Sequence, residues 1–345
     1  MIYRSPHPAL TIPDIPLADF VLAGAVERGD RAALVDSLTG RTITYAQLPG
    51  LVDRAAASLA RLGLRQGDTC GIFSPNSPEY AIAVLAIARL GAVVTTASPM
   101  YTREELVKQL KDCRARLLIT SPAVGATALD AAAEAGVEHV VSFGAMDHAT
   151  PFDDLTSQPG VPPPVSISPT DVVALPYSSG TTGLPKGVML SHRNLIANVL
   201  QVDASGHLAD NADTLICFLP FFHIYGLVVI MLLGLRSGAT LVVMPRFELE
   251  PYLDLVERHR ATVLHVVPPI VLALAKSPAV TGRDFSRVRK LFSGAAPLGA
   301  DVIGQYTARV GGILQQGYGL TESSPATHIT SEDVAARKPG SIGAP

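Results

Sequence analysis

From about residue 69 the chain alternates short β-branched runs with longer stretches whose apolar positions recur at helical spacing. "TCGIFS" leads into "PEYAIAVLAIARLGA", followed by "AVVTTAS", a segment opened by Thr102 and Glu105 in capping-box spacing, "RLLIT", an alanine-rich stretch and "HVVSF". The short runs read as strands and the longer ones as helices, and their repetition predicts a mostly parallel sheet with helices on its faces. A proline-rich connector, "QPGVPPPVSISP", interrupts the pattern within residues 151–169. The same rhythm then resumes with "DTLICFLP", "ATLVVMP", "TVLHVVP", "KLFSG" and "GILQQGYG", each separated from the next by a helix-length segment. The predicted fold is α/β, with two doubly wound, mostly parallel sheets flanked by helices and no sequence repeat between them. Residues 20–62 read as helix, a short hairpin-like "RTITY" and helix, and either half is open to them.

Composition narrows the class. The chain has 345 residues, 48% of them hydrophobic and 17% charged, enough apolar material for about two core-bearing units and too much for disorder. A net charge of −3 with scattered Lys and Arg gives no footprint for nucleic acid. The apolar stretch 224–235 is shorter than the roughly 20 residues that span a bilayer, and the N-terminus has no apolar signal-like core, so the expectation is a soluble, cytoplasmic protein without a membrane partner. Cys70, Cys113 and Cys217 are odd in number and never spaced as CxxC, which predicts reduced, buried thiols and gives no metal signature.

The chemistry concentrates at a few places. Residues 178–187, "SSGTTGLPKG", pack three glycines, four hydroxyls and one lysine between two predicted strands. Residues without Cβ let backbone N–H groups converge on an anion, and the lysine adds a mobile positive charge. The Walker pattern does not fit, since Lys186 lies between Pro185 and Gly187 and a strand, not a helix, follows. A hairpin with a solvated lysine is the competing reading. Other candidates lie just past strand ends of the second half, where an open parallel sheet places its ligand crevice. They are His223 in "FFHIYG", the small residues of "SGAAPLG", and Tyr318, Thr321 and Glu322 in "QGYGLTESS". Each has a plainer alternative: a core histidine, a core tyrosine, or the acidic first turn of a helix.

Assembled, these residues resemble the adenylate-forming superfamily, and within it the 4-coumarate:CoA ligase and acyl-CoA synthetase family. "YSSGTTGLPKGVMLSHRNL" resembles its AMP-binding signature, "PFFHIYGL" its acyl-tunnel gate, "SGAAPLG" its adenine-binding segment and "QGYGLTE" its aromatic-Gly-x-Thr-Glu motif. "TYAQL", "VVPPIVLALAKSP" and "KPGSIG" match as well, so the resemblance covers essentially the whole chain. It implies that Ser178, Ser179, Gly180, Thr181, Thr182, Gly183 and Lys186 cradle the β- and γ-phosphates of ATP. Gly294, Ala295, Ala296 and Pro297, with Gln316, Gly317, Tyr318 and Gly319, would hold the adenine. Thr321 would bond the α-phosphate, Glu322 would ligate Mg²⁺, and His223 would guard the passage where acid and nucleotide meet.

The implied reaction has two steps, attack of a carboxylate on the α-phosphorus of ATP and then thioester formation with CoA. No protein nucleophile is needed, in keeping with the lack of a G-x-S-x-G elbow or a Cys-His pair. The resemblance places the acyl pocket among His223, Ile224, Tyr225, Phe292, Gly294, Gly317, Pro325 and Ala326. Plant hydroxycinnamate ligases often carry a polar residue where Phe292 stands, so an apolar ring there would favour cinnamate-like or medium-chain aliphatic acids over hydroxylated ones, while Tyr225 would still be able to bond the para-hydroxyl of a coumarate.

The family's chain continues beyond "KPGSIGAP". On this resemblance residues 1–345 are expected to form an incomplete AMP-binding domain. Its first α/β subdomain would span residues 53–204 and its second 205–336 with part of 15–52, while most of a β-barrel and the C-terminal lid domain would be missing. Such a chain is expected to bind ligand with little turnover. A purely nucleotide- or acid-binding role is the alternative of a different class, and oxidation of the luciferase kind shares the first half-reaction.

Overall fold

The computed structural model describes residues 8–178 and 185–344. They form an α/β fold with two large sheets, one of eight strands and one of seven.

The seven-stranded sheet runs, edge to edge, Leu190–Ser191, Val172–Ala174, Val93–Ala97, Thr69–Phe73, Ala115–Thr120, His139–Ser142 and Thr150–Pro151. Every pairing is parallel except the first. Its helices lie where the periodicity puts them, at Pro78–Arg89, Arg103–Asp112 and Gly125–Ala135. Ser77 caps the first of these, its side chain accepting the Tyr80 N–H, with Pro78 preset at the opening position. Thr102 and Glu105 form the expected capping box.

The eight-stranded sheet runs Ala326–Ile329, Ile313–Gly319, Lys290–Ser293, Val263–Val266, Thr214–Cys217, Thr240–Val243, Ala32–Asp36 and Thr42–Thr44. It is parallel in the middle, with one antiparallel strand at each edge. The strand Ala32–Asp36, not anticipated from the sequence, extends this sheet beside Thr240–Val243 and hairpins back through Thr42–Thr44. The helix that follows, Leu48–Arg61, packs instead on Pro78–Arg89 beside the other sheet. Residues 32–61 thus stitch the two halves together.

Pro78–Arg89 carries apolar residues on almost every side, and the structure buries it on almost every side. One hydrophobic core accordingly runs through both halves. The proline-rich stretch does not join the halves. It turns back along the first one, where Gly160 lies so close to helix Leu48–Arg61 that a Cβ would sit 2.8 Å from that of Ala57. The chain then returns to the first sheet at Val172–Ala174 before crossing over. Cys70 and Cys217 are buried as expected; Cys113 is only half-buried, at the end of its helix. No helix among the described residues is long and apolar enough to cross a membrane.

Candidate functional site

The carboxyl ends of strands Thr214–Cys217, Lys290–Ser293 and Ile313–Gly319 open onto one cleft of about 270 Å³. Ser178 lines it from the first half; His223, Ile224, Tyr225, Phe292, Gly294, Ala295, residues 317–322, Pro325 and Ala326 line it from the second. A crevice at the strand ends of an open parallel sheet is where such sheets bind ligands.

The entrance to the glycine-rich loop is a two-rung hairpin, Tyr177–Ser178 against Lys186–Gly187, with Lys186 opposite Ser178. Gly187 lets this stem pack closely: a Cβ would lie 3.1 Å from the Leu175 side chain and 3.3 Å from the Tyr177 ring. Lys186 is exposed beside the cleft and is not among its lining residues. Ser179, Gly180, Thr181, Thr182 and Gly183 lie outside the described residues.

His223 occupies the turn between strand Thr214–Cys217 and a π-helical segment, Tyr225–Leu232. Its ring is exposed at the cleft, so it is not a core histidine. The Tyr225 N–H donates to its Nδ1 at 3.2 Å, which leaves the proton of the neutral ring on Nε2. Partial desolvation pushes its pKa below the ordinary 6.5. The π-helix begins where the main chain doubles back on itself. A Cβ on Gly226 would fall 2.1 Å from the Pro220 carbonyl oxygen, so only glycine fits. π-segments of this kind concentrate at functional sites.

Tyr225 is buried, its hydroxyl directed at the Phe292 carbonyl across a long 3.5 Å, and burial pushes its phenol well up. Gly294 lies against that ring: a Cβ would be 3.4 Å from Tyr225 Cε1. Gly317 is flanked by Phe292, whose Cζ would be 2.5 Å from an added Cβ. These two glycines and two rings shape the inner wall. Ala295 adopts φ +70°, a left-handed conformation uncommon for alanine, in the segment expected to carry the adenine. Ala296 and Pro297 follow on the surface, beyond the cleft lining. Gln316 is buried with its side-chain oxygen accepting the Leu298 N–H at 3.2 Å, which braces the "SGAAPLG" segment from behind.

Tyr318 is 47% exposed, which rules out the core reading, and Thr321 and Glu322 share one 3-10 turn, Thr321–Ser323. Glu322 is the one carboxylate among the described residues lining the cleft, and no cluster of three or more His, Cys, Asp or Glu that could hold a metal occurs among the described residues. A single carboxylate is compatible with Mg²⁺, which takes few protein ligands and completes its shell with water and substrate oxygens.

Sequence reasoning missed His328. It pairs in register with Tyr318, lines the cleft, and shares a 2.9 Å contact with the Thr327 hydroxyl. Only knowledge that Ala326–Ile329 is an edge strand would have brought it to the site. Also unanticipated is a buried histidine pair behind the inner wall. The Nε2 atoms of His207 and His265 lie 2.8 Å apart, and the His207 ring meets Phe292 edge-on at 4.6 Å. Burial lowers the pKa of both.

Comparison with known proteins agrees with this geometry. Residues 23–345 match the family model described as AMP-binding enzyme. The 4-coumarate--CoA ligase 5 of Oryza sativa subsp. japonica is 44% identical over 332 residues, covering 94% of this chain and 61% of that protein. The 4-coumarate--CoA ligase 1 of Petroselinum crispum is 41% identical over 331 residues, again covering 94% of this chain and 61% of that protein. The chain therefore spans about three-fifths of the length of the curated relatives it matches. Among solved structures, a long-chain-fatty-acid-CoA ligase (FadD1) from Archaeoglobus fulgidus superposes with a TM-score of 0.90 at 26% identity, over 99% of this chain and 71% of that one. The inhibitor-bound N-terminal domain of FACL13 from Mycobacterium tuberculosis gives 0.87 at 27% identity, over 95% and 81%. With residues 23–345 matched by the family model, this chain belongs to the AMP-binding enzymes.

Proposed function

We propose that a polypeptide of the relatives' full length, carrying this chain, activates a carboxylic acid with ATP to an acyl-adenylate, releases pyrophosphate, and passes the acyl group to CoA. The observation that carries the reading is the convergence of Ser178, His223, Tyr318, Thr321 and Glu322 on one cleft from strand ends far apart in sequence. The glycine-rich loop with Lys186 would take the β- and γ-phosphates, and residues 294–297 with Tyr318 would hold the adenine. Thr321 would donate to the α-phosphate, and Glu322 would hold Mg²⁺, whose charge offsets that of the triphosphate.

Catalysis of this kind needs position and charge stabilisation rather than a protein nucleophile. His223, neutral near pH 7 and with its Nε2–H unengaged by the turn, is suited to donate to an oxygen of the acid. Cys70 and Cys217, the most buried thiols, are pushed far up in pKa and do not compete as nucleophiles.

For the acid we propose an aryl propenoate of the cinnamate or coumarate type. The aromatic inner wall of Tyr225 and Phe292 and the names of the relatives support it. Residues 1–345 by themselves we infer to bind nucleotide and acid in the cytoplasm with little turnover, because they span three-fifths of those relatives. Acid-dependent exchange of labelled pyrophosphate into ATP by the full-length polypeptide, across a panel of aryl and aliphatic acids, tests the reading. Lys186→Ala and Glu322→Ala should each lower exchange by about a hundredfold or more. Unchanged exchange in both would refute the assigned roles. Preference for an aliphatic acid would replace the substrate class and leave the reaction standing.

A further inference from the structure

Two side chains of the first half take hold of the main chain immediately ahead of His223. Asn76 lies buried between strand Thr69–Phe73 and helix Pro78–Arg89. Its Nδ2 donates to the carbonyls of Leu219 at 2.9 Å and Cys217 at 3.2 Å, and its Oδ1 accepts the Phe221 N–H at 2.8 Å. Thr96, buried near the end of strand Val93–Ala97, donates from Oγ1 to the Phe222 carbonyl at 2.7 Å. The turn closes on itself with the His223 N–H donating to Pro220 O at 3.1 Å and the Tyr225 N–H to His223 Nδ1. Backbone groups of residues 217, 219, 221 and 222 are thereby held from the opposite sheet, and neither Asn76 nor Thr96 is among the residues lining the cleft.

The geometry points to Asn76 and Thr96 as positioning residues for His223, fixing the turn so that the ring keeps Nδ1 on the Tyr225 amide and presents Nε2–H to the cleft. This role rests on the reading that His223 meets the acid. A neutral imidazole has one donor and one acceptor nitrogen, and which is which follows from the bond the other makes. With Nδ1 committed to a backbone N–H, the nitrogen left for the cleft is a donor. If the turn slackened, the Tyr225 bond, already long at 3.2 Å, would be weakened along with it. The ring would then sample both tautomers and hydrate. Asn76 uses two donors and its acceptor on main chain alone, a commitment that apolar packing would not need and that is costly to leave unmade in a buried site.

The two arms of the test are imidazole nitrogen NMR on residues 1–345 and acid-dependent pyrophosphate exchange on the full-length polypeptide. In Thr96→Val, which removes one hydroxyl at nearly constant shape, His223 should lose its single tautomer and its titration point should rise toward 6.5. Exchange should fall about ten- to a hundredfold, the cost of a misplaced reacting group, with KM for ATP within about twofold of the unaltered value. Thr96→Ser should restore both readouts. Asn76→Asp keeps the acceptor and gives up both donors, so it should act in the same direction and serves if Thr96→Val does not fold. A Thr96→Val or Asn76→Asp protein that folds with an unchanged His223 tautomer and titration overturns the proposal, as does failure of serine to rescue. Because the imidazole signals are read without substrate, they decide the positioning role even where absent exchange takes the ligase reading down.

Discussion

Tyr177 donates its hydroxyl to the Asp112 carboxylate across 2.5 Å, joining the stem of the glycine-rich loop to the end of helix Arg103–Asp112. Burial and the adjacent carboxylate push the phenol far above its usual pKa, so the donor is present throughout the working range. Thr95 adds a second tie one strand away, its Oγ1 donating to the Leu175 carbonyl at 2.8 Å while accepting from Gln109 Nε2 at 2.9 Å. The loop therefore starts from a fixed stem. Tyr177→Phe should cost about 1.5 kcal/mol of stability, the low end for a hydrogen bond to a charged group, because this bond lies near the surface. It should also weaken ATP binding by residues 1–345 in calorimetry. Full affinity for ATP in a folded Tyr177→Phe protein would show that the stem does not set the loop.

On the opposite wall, buried Asn198 brackets one residue. Its Nδ2 donates to the Ala326 carbonyl at 2.8 Å and its Oδ1 accepts the Ala326 N–H at 3.1 Å. This side chain pairs with the edge strand Ala326–Ile329 as another strand would. Asn198→Leu leaves both backbone groups without their partner and should destabilise by about 2–5 kcal/mol in urea unfolding. Asn198→Asp keeps the acceptor but sets a buried carboxylate oxygen against the Ala326 carbonyl, so it should cost at least as much.

Two glycines predict different failures. At Gly226 an added methyl would strike the Pro220 carbonyl oxygen at 2.1 Å and its carbon at 2.7 Å, both backbone atoms that cannot swing aside. Gly226→Ala should lower stability by about 3 kcal/mol or more and disturb the π-helix. At Gly317 the nearest obstacle is the end of the Phe292 ring, at 2.5 Å, with the His328 carbonyl at 3.1 Å. Gly317→Ala should fold with a loss nearer 1 kcal/mol and shift acid selectivity instead, as the ring is pushed into the cleft. Unfolding melts of both variants, with an acid panel for the second, separate the cases.

Acid should destabilise this fold through its buried histidines. His192 accepts the Leu17 N–H at Nδ1 over 2.9 Å, and burial pulls its pKa from 6.5 to about 4. The unfolded chain binds the proton more readily, so the contribution is complete above pH 6.5 and is lost as pH falls from there to about 4. His265, pulled down to about 3, acts with the same sign. In urea unfolding, His192→Asn, which keeps an acceptor without a titrating ring, should reduce the stability lost between about pH 6.5 and pH 5 by on the order of 1 kcal/mol. An identical pH profile in the variant would contradict this.

Much of the architecture was legible because parallel strands buried on both faces leave continuous apolar runs, as "TCGIF", "RLLIT" and "TLVV" do, and because Thr102 and Glu105 announce their helix. The cleft residues were legible because strand-end loops concentrate glycine and polar groups. Ala32–Asp36 was not, since its partner strand is more than two hundred residues away and nothing local says which sheet it joins. Tyr225–Leu232 reads only as generic helix, for a segment apolar on every side has no stripe to betray its turn. Least visible was the seam. Asn76, Thr96 and Asn198 each reach a partner more than a hundred residues distant, and a buried asparagine looks in sequence like any loop residue.

Those three side chains grip peptide groups, not side chains, on the far half. Amino-acid changes at 222 or 326 therefore leave the joint between the halves intact, since every residue but proline offers the same amide. At 326 the wall of the cleft can change its side chain while its mounting stays as it is.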